Sequence, residues 1–121
     1  MIGLKKSSDF KEVYRCRDSK ANDLLIMYKK RNSTSDNRVG ISVSKKVGNS
    51  VVRHRLKRQM KEIVRFHENK LQHGYDMVFV LRVSSNGASY KRLELAFWNL
   101  VKRHGMISVY EPLDNLRSFN A

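Results

Sequence analysis

Apolar side chains recur along this chain with two different periods, and each change of period marks an element. Phe10, Val13 and Tyr14 stand at i, i+3 and i+4 behind Ser7-Ser8-Asp9, which offers an N-cap. This spacing predicts a short helix of two turns with Phe10 and Tyr14 on one face. Leu24 to Tyr28 is a run of five apolar residues that stops at Lys29-Lys30-Arg31 and the polar stretch Asn32 to Asn37, so a strand and then a loop are expected. In Arg38 to Ser44 the period becomes two. Val39, Ile41 and Val43 alternate with Gly40, Ser42 and Ser44, which predicts a strand with one apolar face and one small, polar face.

Gly48-Asn49-Ser50 breaks that strand, and Asn49 or Ser50 can cap the longest helix, expected over about residues 50 to 70. Val52, Leu56, Met60, Ile63 and His67 fall in one stripe at 100° per residue, with Val64 beside it. The opposite stripe collects His54, Arg58, Lys61 and Arg65, with Arg55 on its shoulder. Gly74 ends this segment; residues 76 to 83 read as a strand rich in β-branched residues, closed by Ser84-Ser85-Asn86-Gly87. A last helix runs from its cap at Ser89 to Gly105, with Leu93, Ala96, Phe97, Leu100 and Val101 on the buried side. Residues 106 to 121 hold the only proline, Pro112, and no clear period, so an irregular tail is expected. The order predicts one α+β domain over residues 1 to 105, a two-layer sandwich whose small sheet is covered by helices on one face and open on the other.

Composition adds a partner class. The 121 residues carry 25 Lys and Arg against 11 Asp and Glu, a formal net charge of +14, while 40% hydrophobic residues suffice for a core. Charge of that size on a small surface gathers polyanions, nucleic acid first and anionic membrane second. Residues 38 to 74 hold 10 basic and 2 acidic side chains, so the patch lies in the middle third. No window approaches the ~18 consecutive apolar residues of a membrane span, and Met-Ile-Gly-Leu-Lys-Lys turns polar too early for a signal peptide. The single cysteine, Cys16, between Arg15 and Arg17, forms no internal disulfide and suits a reducing cytoplasm.

The position of the basic residues is more informative than their number. A helix N-terminus carries positive partial charge, so Arg53, Arg55, Lys57 and Arg58, following Lys45 and Lys46, each oppose it by a few tenths of a kcal/mol. Helix stability alone favours Asp or Glu there. A phosphate backbone supplies the missing negative charge and accepts from the amides at the helix start.

Val39-Gly-Ile-Ser-Val-Ser-Lys-Lys-Val-Gly-Asn-Ser-Val-Val-Arg53 resembles the strand-and-turn signature of the bacterial ribonuclease P protein subunit, and Arg53-His-Arg-Leu-Lys-Arg-Gln-Met-Lys-Glu62 resembles its Arg-Asn-Arg helix. The likeness extends to Leu4-Lys-Lys-Ser-Ser-Asp-Phe10 and, more loosely, to Tyr90 through Leu100. His54 stands where that motif has Asn, and Lys61 where it often has Arg, which loses a bidentate fork but keeps the charge. The resemblance implies a ribonucleoprotein endonuclease that removes the 5′ leader of precursor tRNA, its chemistry done by an RNA subunit with Mg²⁺ held mainly by that RNA. It implies that Lys45, Lys46, Asn49, Arg53, His54, Arg55, Lys57, Arg58, Lys61 and Arg65 contact the catalytic RNA, and that a cleft between the first helix and the open sheet face holds the single-stranded leader. It also implies a left-handed βαβ crossover around the basic helix, against the usual hand.

The residues themselves furnish such a cleft with aromatic platforms, Phe10, Tyr14 and Tyr28, beside the small polar Ser42 and Ser44. The competing reading is that Phe10 and Tyr14 only pin a short helix to the sheet. The four histidines, His54, His67, His73 and His104, show no spacing that demands convergence, and the acids are scattered, so no catalytic group and no metal site are expected in the protein. A structural RNA-binding protein of ribosomal type fits charge and fold equally well. A DNA-binding helix-turn-helix fits less, because strands flank the basic helix. The expected partners are ribonuclease P RNA and precursor tRNA, with no membrane and no obligatory protein partner.

Overall fold

The computed structural model describes residues 2–108. Their elements are β1 (Ile2–Gly3), α1 (Ser7–Arg15), β2 (Ser19–Ala21), β3 (Leu25–Arg31), β4 (Arg38–Val43), α2 (Ser50–His67), β5 (Tyr75–Leu81) and α3 (Tyr90–Arg103). The strands form one mixed sheet in the order β1-β4-β5-β3-β2. Strands β4 and β5 pair in parallel, Arg38↔Asp76 through Val43↔Leu81, so α2 is the crossover of a βαβ unit. Strands β3 and β5 pair antiparallel, Leu25↔Leu81 through Arg31↔Tyr75.

The two-residue period sorts the strand side chains cleanly. Leu25 and Met27 of β3, Val39 of β4, and Met77, Phe79 and Leu81 of β5 all join one core with Leu56, Met60, Ile63 and Val64 of α2 and Leu93, Phe97, Leu100 and Val101 of α3. On the reverse face Val78 joins Leu4 and Val13 in a second, smaller cluster, edged by Phe10, Tyr14, Tyr28 and Val80. Helix α1 therefore lies across the face that α2 and α3 leave uncovered, and covers only part of it.

Several boundaries differ from expectation. Helix α1 is capped at Lys6, which provides no side-chain bond, so Ser7 and Ser8 lie inside the helix. Helix α2 stops at His67, and Glu68–Lys70 tightens into a 3₁₀ turn. The strand expected from Leu24 to Tyr28 runs on through the basic residues to Arg31, because β5 supplies hydrogen-bond partners out to Tyr75. Strands β1 and β2 were not expected. Each has three residues or fewer, too short for a periodic signal, and each exists only as an edge pairing, β1 on β4 and β2 on β3. The segment expected to be an irregular tail begins inside the fold: Met106 is buried and Ile107 bridges Leu71. The rest of that segment, 109–121, lies outside the described residues.

The caps predicted for the long helices are present. Asn49 Oδ1 accepts from the Val52 amide at 3.0 Å, and Ser89 Oγ accepts from the Arg92 amide at 3.1 Å. Gly105, at φ +69°, ends α3 in the left-handed region that favours glycine.

Candidate nucleic-acid interface

The site begins with a glycine. The ring of Phe10, on α1, lies so close over Gly40, on β4, that a Cβ there would sit 2.5 Å from the Phe10 Cζ. Only a residue without a side chain lets α1 approach the sheet this closely. From Phe10 the aromatic groups step across the sheet: Phe10 and Tyr14 are 6.5 Å apart by ring centroids, and Tyr14 meets Tyr28 edge-on at 4.8 Å. All three are half-buried. Burial pushes the Tyr14 hydroxyl above the usual range for tyrosine, with Tyr28 adding to the shift and a hydrogen bond with Ser42 opposing it. Ser42 thus lies within the aromatic group. Ser44 falls one residue past the end of β4, exposed at the start of the turn.

Strand β1 stops at Gly3, and next to it a groove opens between α1 and α2, with β4 as its floor. Its volume is about 810 Å³. Lys5, Phe10 and Ile41 line it from one side; His54, Lys57, Arg58, Lys61 and Arg65 line it from α2, with Glu62 the acid among the lining residues. Of the residues expected to hold the leader, Phe10 lines this groove while Tyr14, Tyr28, Ser42 and Ser44 do not, so the α2 face and the aromatic face, expected as two separate contact surfaces, meet at Phe10.

The other residues expected to contact RNA have distinct placements. Lys45 and Lys46 are exposed on the turn between β4 and α2, fixed there by the buried Val47, whose amide bonds to the Ser44 carbonyl at 3.1 Å. Asn49 spends its side-chain oxygen on the cap of α2. Arg53 Nη1 donates to the Gly48 carbonyl at 2.8 Å, so it braces the turn as well as adding charge. Arg55 is exposed on α2 but is not among the groove residues. Lys5 was not singled out from sequence. Its only signal there is the Lys5-Lys6 pair before α1.

Two of the four histidines are held inside the fold. His67 is buried, its Nε2 3.0 Å from Glu94 Oε2, and its ring stacks on Phe97. His104 is buried with Nε2 2.9 Å from the Met27 carbonyl; burial holds its pKa below the ordinary value, helped by Lys29 and Lys20, while the Met27 bond and Asp18 pull the other way. Among the described residues no three His, Cys, Asp or Glu side chains group as a metal site. Cys16 is exposed at the end of α1.

An ion-paired cluster steadies the same sheet face. Arg38 grips the buried Asp76 with two bonds, Nε to Oδ1 at 2.8 Å and Nη2 to Oδ2 at 2.6 Å, and Asn32 donates to Oδ1 at 2.9 Å. Burial alone raises a carboxyl, yet these bonds and the charges of Arg38 and Lys30 outweigh it and hold Asp76 below its ordinary value.

The family model for ribonuclease P matches residues 2–105. The ribonuclease P protein component of Clostridium perfringens strain SM101 is 45% identical over 113 residues, covering 88% of this chain and 90% of that protein. That of Clostridioides difficile strain 630 is 48% identical over 102 residues, covering 84% and 90%. Among solved structures, the Staphylococcus aureus RNase P protein superposes with a TM-score of 0.82 at 27% identity, covering 89% of this chain and 99% of that one. The Thermotoga maritima RNase P protein does so with 0.78 at 25%, covering 85% and 97%. These likenesses, spanning the sheet, the groove and the basic helix alike, place the chain in the family of bacterial ribonuclease P protein components.

Proposed function

We propose that the chain serves as the non-catalytic protein subunit of a tRNA-processing ribonucleoprotein, with α2 and the turn before it on the catalytic RNA and the 5′ leader of precursor tRNA in the groove. The observation that carries this reading is the groove and the sheet face beside it: the Phe10 ring faces the cations of α2 across the groove, and Tyr14 and Tyr28 continue from Phe10 over the sheet outside it. Single-stranded RNA needs both: stacking surfaces for its bases and positive charge along its backbone. Phe10, Tyr14 and Tyr28 offer the first, and Lys57, Arg58, Lys61 and Arg65 the second. Lys45, Lys46, Arg53 and Arg55 extend the positive surface beyond the groove, toward the RNA subunit.

Division of labour follows from the same inventory. Transition-state charge in phosphodiester hydrolysis is met by Mg²⁺, and the described residues present no carboxylate cluster to hold it. In this proposal Mg²⁺ is assigned to the RNA subunit, as the family likeness implies. The protein lowers the amount needed by neutralising phosphates and fixing the leader. Among the described residues no helix is long and apolar enough to cross a membrane. The family likeness favours this role over that of a ribosomal-type structural protein.

The test mixes protein, ribonuclease P RNA and precursor tRNA at limiting Mg²⁺ and follows 5′ cleavage. The protein is expected to stimulate the RNA and to be silent by itself; cleavage by highly purified protein without RNA would overturn the assignment.

A further inference from the structure

We propose that the edge of the molecule opposite the groove, made by α3 and the turn between β2 and β3, is a second seat for RNA backbone and holds another segment of the RNA subunit. The inference rests on the proposed function and adds a site to it.

The turn is locked to α3. Asn22 Nδ2 donates to the Ala96 carbonyl at 3.0 Å and to Asn99 Oδ1 at 3.1 Å, while its Oδ1 accepts from the amides of Leu24 and Leu25 at 3.2 and 3.0 Å. Two guanidinium groups are tethered to this turn by one nitrogen each: Arg82 Nη1 donates to the Asn22 carbonyl at 3.0 Å, and Arg103 Nη1 to the Ala21 carbonyl at 2.9 Å. Both side chains are exposed, so the rest of each fork is open to solvent. Arg92 stands seven residues before Asn99 and eleven before Arg103, on the same helical stripe, and lines a shallow depression with Asn22, Asp23, Leu95 and Asn99. Among the described residues, no carboxylate pairs with Arg82, Arg92 or Arg103.

Two features point to a phosphate ligand. First, the first turn of α3 contains Lys91 and Arg92 and no acid, so its cations oppose the helix dipole as those of α2 do, and an anion at this place relieves the conflict. Second, pre-anchored guanidinium forks suit phosphate oxygens, which accept two parallel N–H bonds. Asp23, at the rim, is the one opposing charge in the depression.

Distance selects the RNA subunit. From β4 to β2 the sheet order spans three strand gaps, roughly 14 Å at about 4.8 Å each, before the side chains of either edge are added. A leader lying in the groove reaches the far edge only by running on across the sheet and around α3, away from the aromatic platforms. A large folded RNA presents two backbone segments at such a separation, and gripping both raises affinity through effective concentration.

The test measures binding of the full chain to ribonuclease P RNA across a salt series, with precursor tRNA alone as a second ligand and Arg58→Ala as the groove control. Arg92→Glu is expected to weaken binding to the RNA subunit about tenfold or more, because it removes a contact and adds repulsion, and to flatten the slope of log affinity on log salt by about 1. Asp23→Asn should tighten binding about twofold, and Arg92→Lys should retain most of it. If Arg92→Glu fails to melt as wild type does, Asp23→Asn decides: an unchanged affinity overturns the proposal. So does wild-type affinity in a folded Arg92→Glu when Arg58→Ala is weakened, and so does a loss confined to precursor tRNA. A wild-type chain that does not bind the RNA subunit at all refutes instead the function proposed above.

Discussion

The two faces of the sheet are finished in opposite ways. Behind it, α2 and α3 close a core in which Leu56, Met60, Ile63, Phe79, Phe97 and Leu100 are fully buried. In front, α1 seals only Leu4, Val13 and Val78, and leaves Phe10, Tyr14 and Tyr28 half-buried. A closed face repays chain entropy with buried area, roughly 25 cal/mol per Å² of apolar surface; an open one keeps its aromatic and cationic groups for a ligand. On the function proposed above, stability and recognition are carried by different sides of the same five strands, and α2 takes part in both, one stripe in the core and the opposite stripe in the groove.

This division is sharpened by substitutions on either side. The largest effect is expected from Leu56→Ala, which empties a fully buried site on the closed face and should cost about 2 to 5 kcal/mol in denaturant unfolding. Tyr14→Leu, on the open face, keeps much of the packing but removes a platform. Affinity for precursor tRNA should fall by about 1 to 3 kcal/mol, with mature tRNA unmoved. An equal loss for both would mean that Tyr14 supports the fold, and the distinction between faces would collapse there. Arg58→Ala should leave stability within about 0.5 kcal/mol of wild type while reducing the salt slope of RNA binding by about 1; unchanged binding argues against the α2 face as an RNA contact.

The smallest effect concerns pH. His104, on the closed side, titrates below its ordinary value near 6.5, so below that pH the unfolded chain takes up a proton that the folded one refuses. Stability should therefore fall as pH drops from 6.5 toward the lowered folded value. Asp76 works at a more acid range: its depressed pKa adds stability above the ordinary carboxyl value, lost as pH falls through the folded one. Thermal melts of wild type and His104→Gln between pH 7.5 and 5 separate the two, since the variant should lose the upper part of the slope.

Much of this arrangement is legible in the residues. The alternation of Val39, Ile41 and Val43 with Gly40, Ser42 and Ser44 specifies which side of β4 turns inward, and the α2 stripe from Leu56 to His67 identifies its packed face. The misplaced cations of the first α2 turns point to phosphate without any knowledge of the fold. What periodicity cannot show is tertiary. Neither Ile2–Gly3 nor Ser19–Ala21 has enough residues to establish a period, and both become strands only by pairing with a longer neighbour. The merging of the Phe10 face with the α2 face depends on where β1 stops. Arg38 and Asp76 are 38 positions apart and meet only through the parallel register of β4 on β5. Ser7 makes a plausible cap on paper, yet the backbone turns at Lys6.

The brevity of β1 has a consequence for how copies of this chain treat one another. Val39 directs its carbonyl to the Leu4 amide, so by the alternation of a strand Ile41 and Val43 direct their backbone groups the same way, past the end of β1. An uncovered strand edge is an invitation to self-pairing and aggregation. Here the approach lies between Lys5 on one bank and Lys57, Lys61 and Arg65 on the other, and a second copy has to bring its own cations into the same channel. Like-charge repulsion thus acts as a gatekeeper for the edge, and on the function proposed above the RNA that cancels this repulsion takes over the guard by occupying the channel itself.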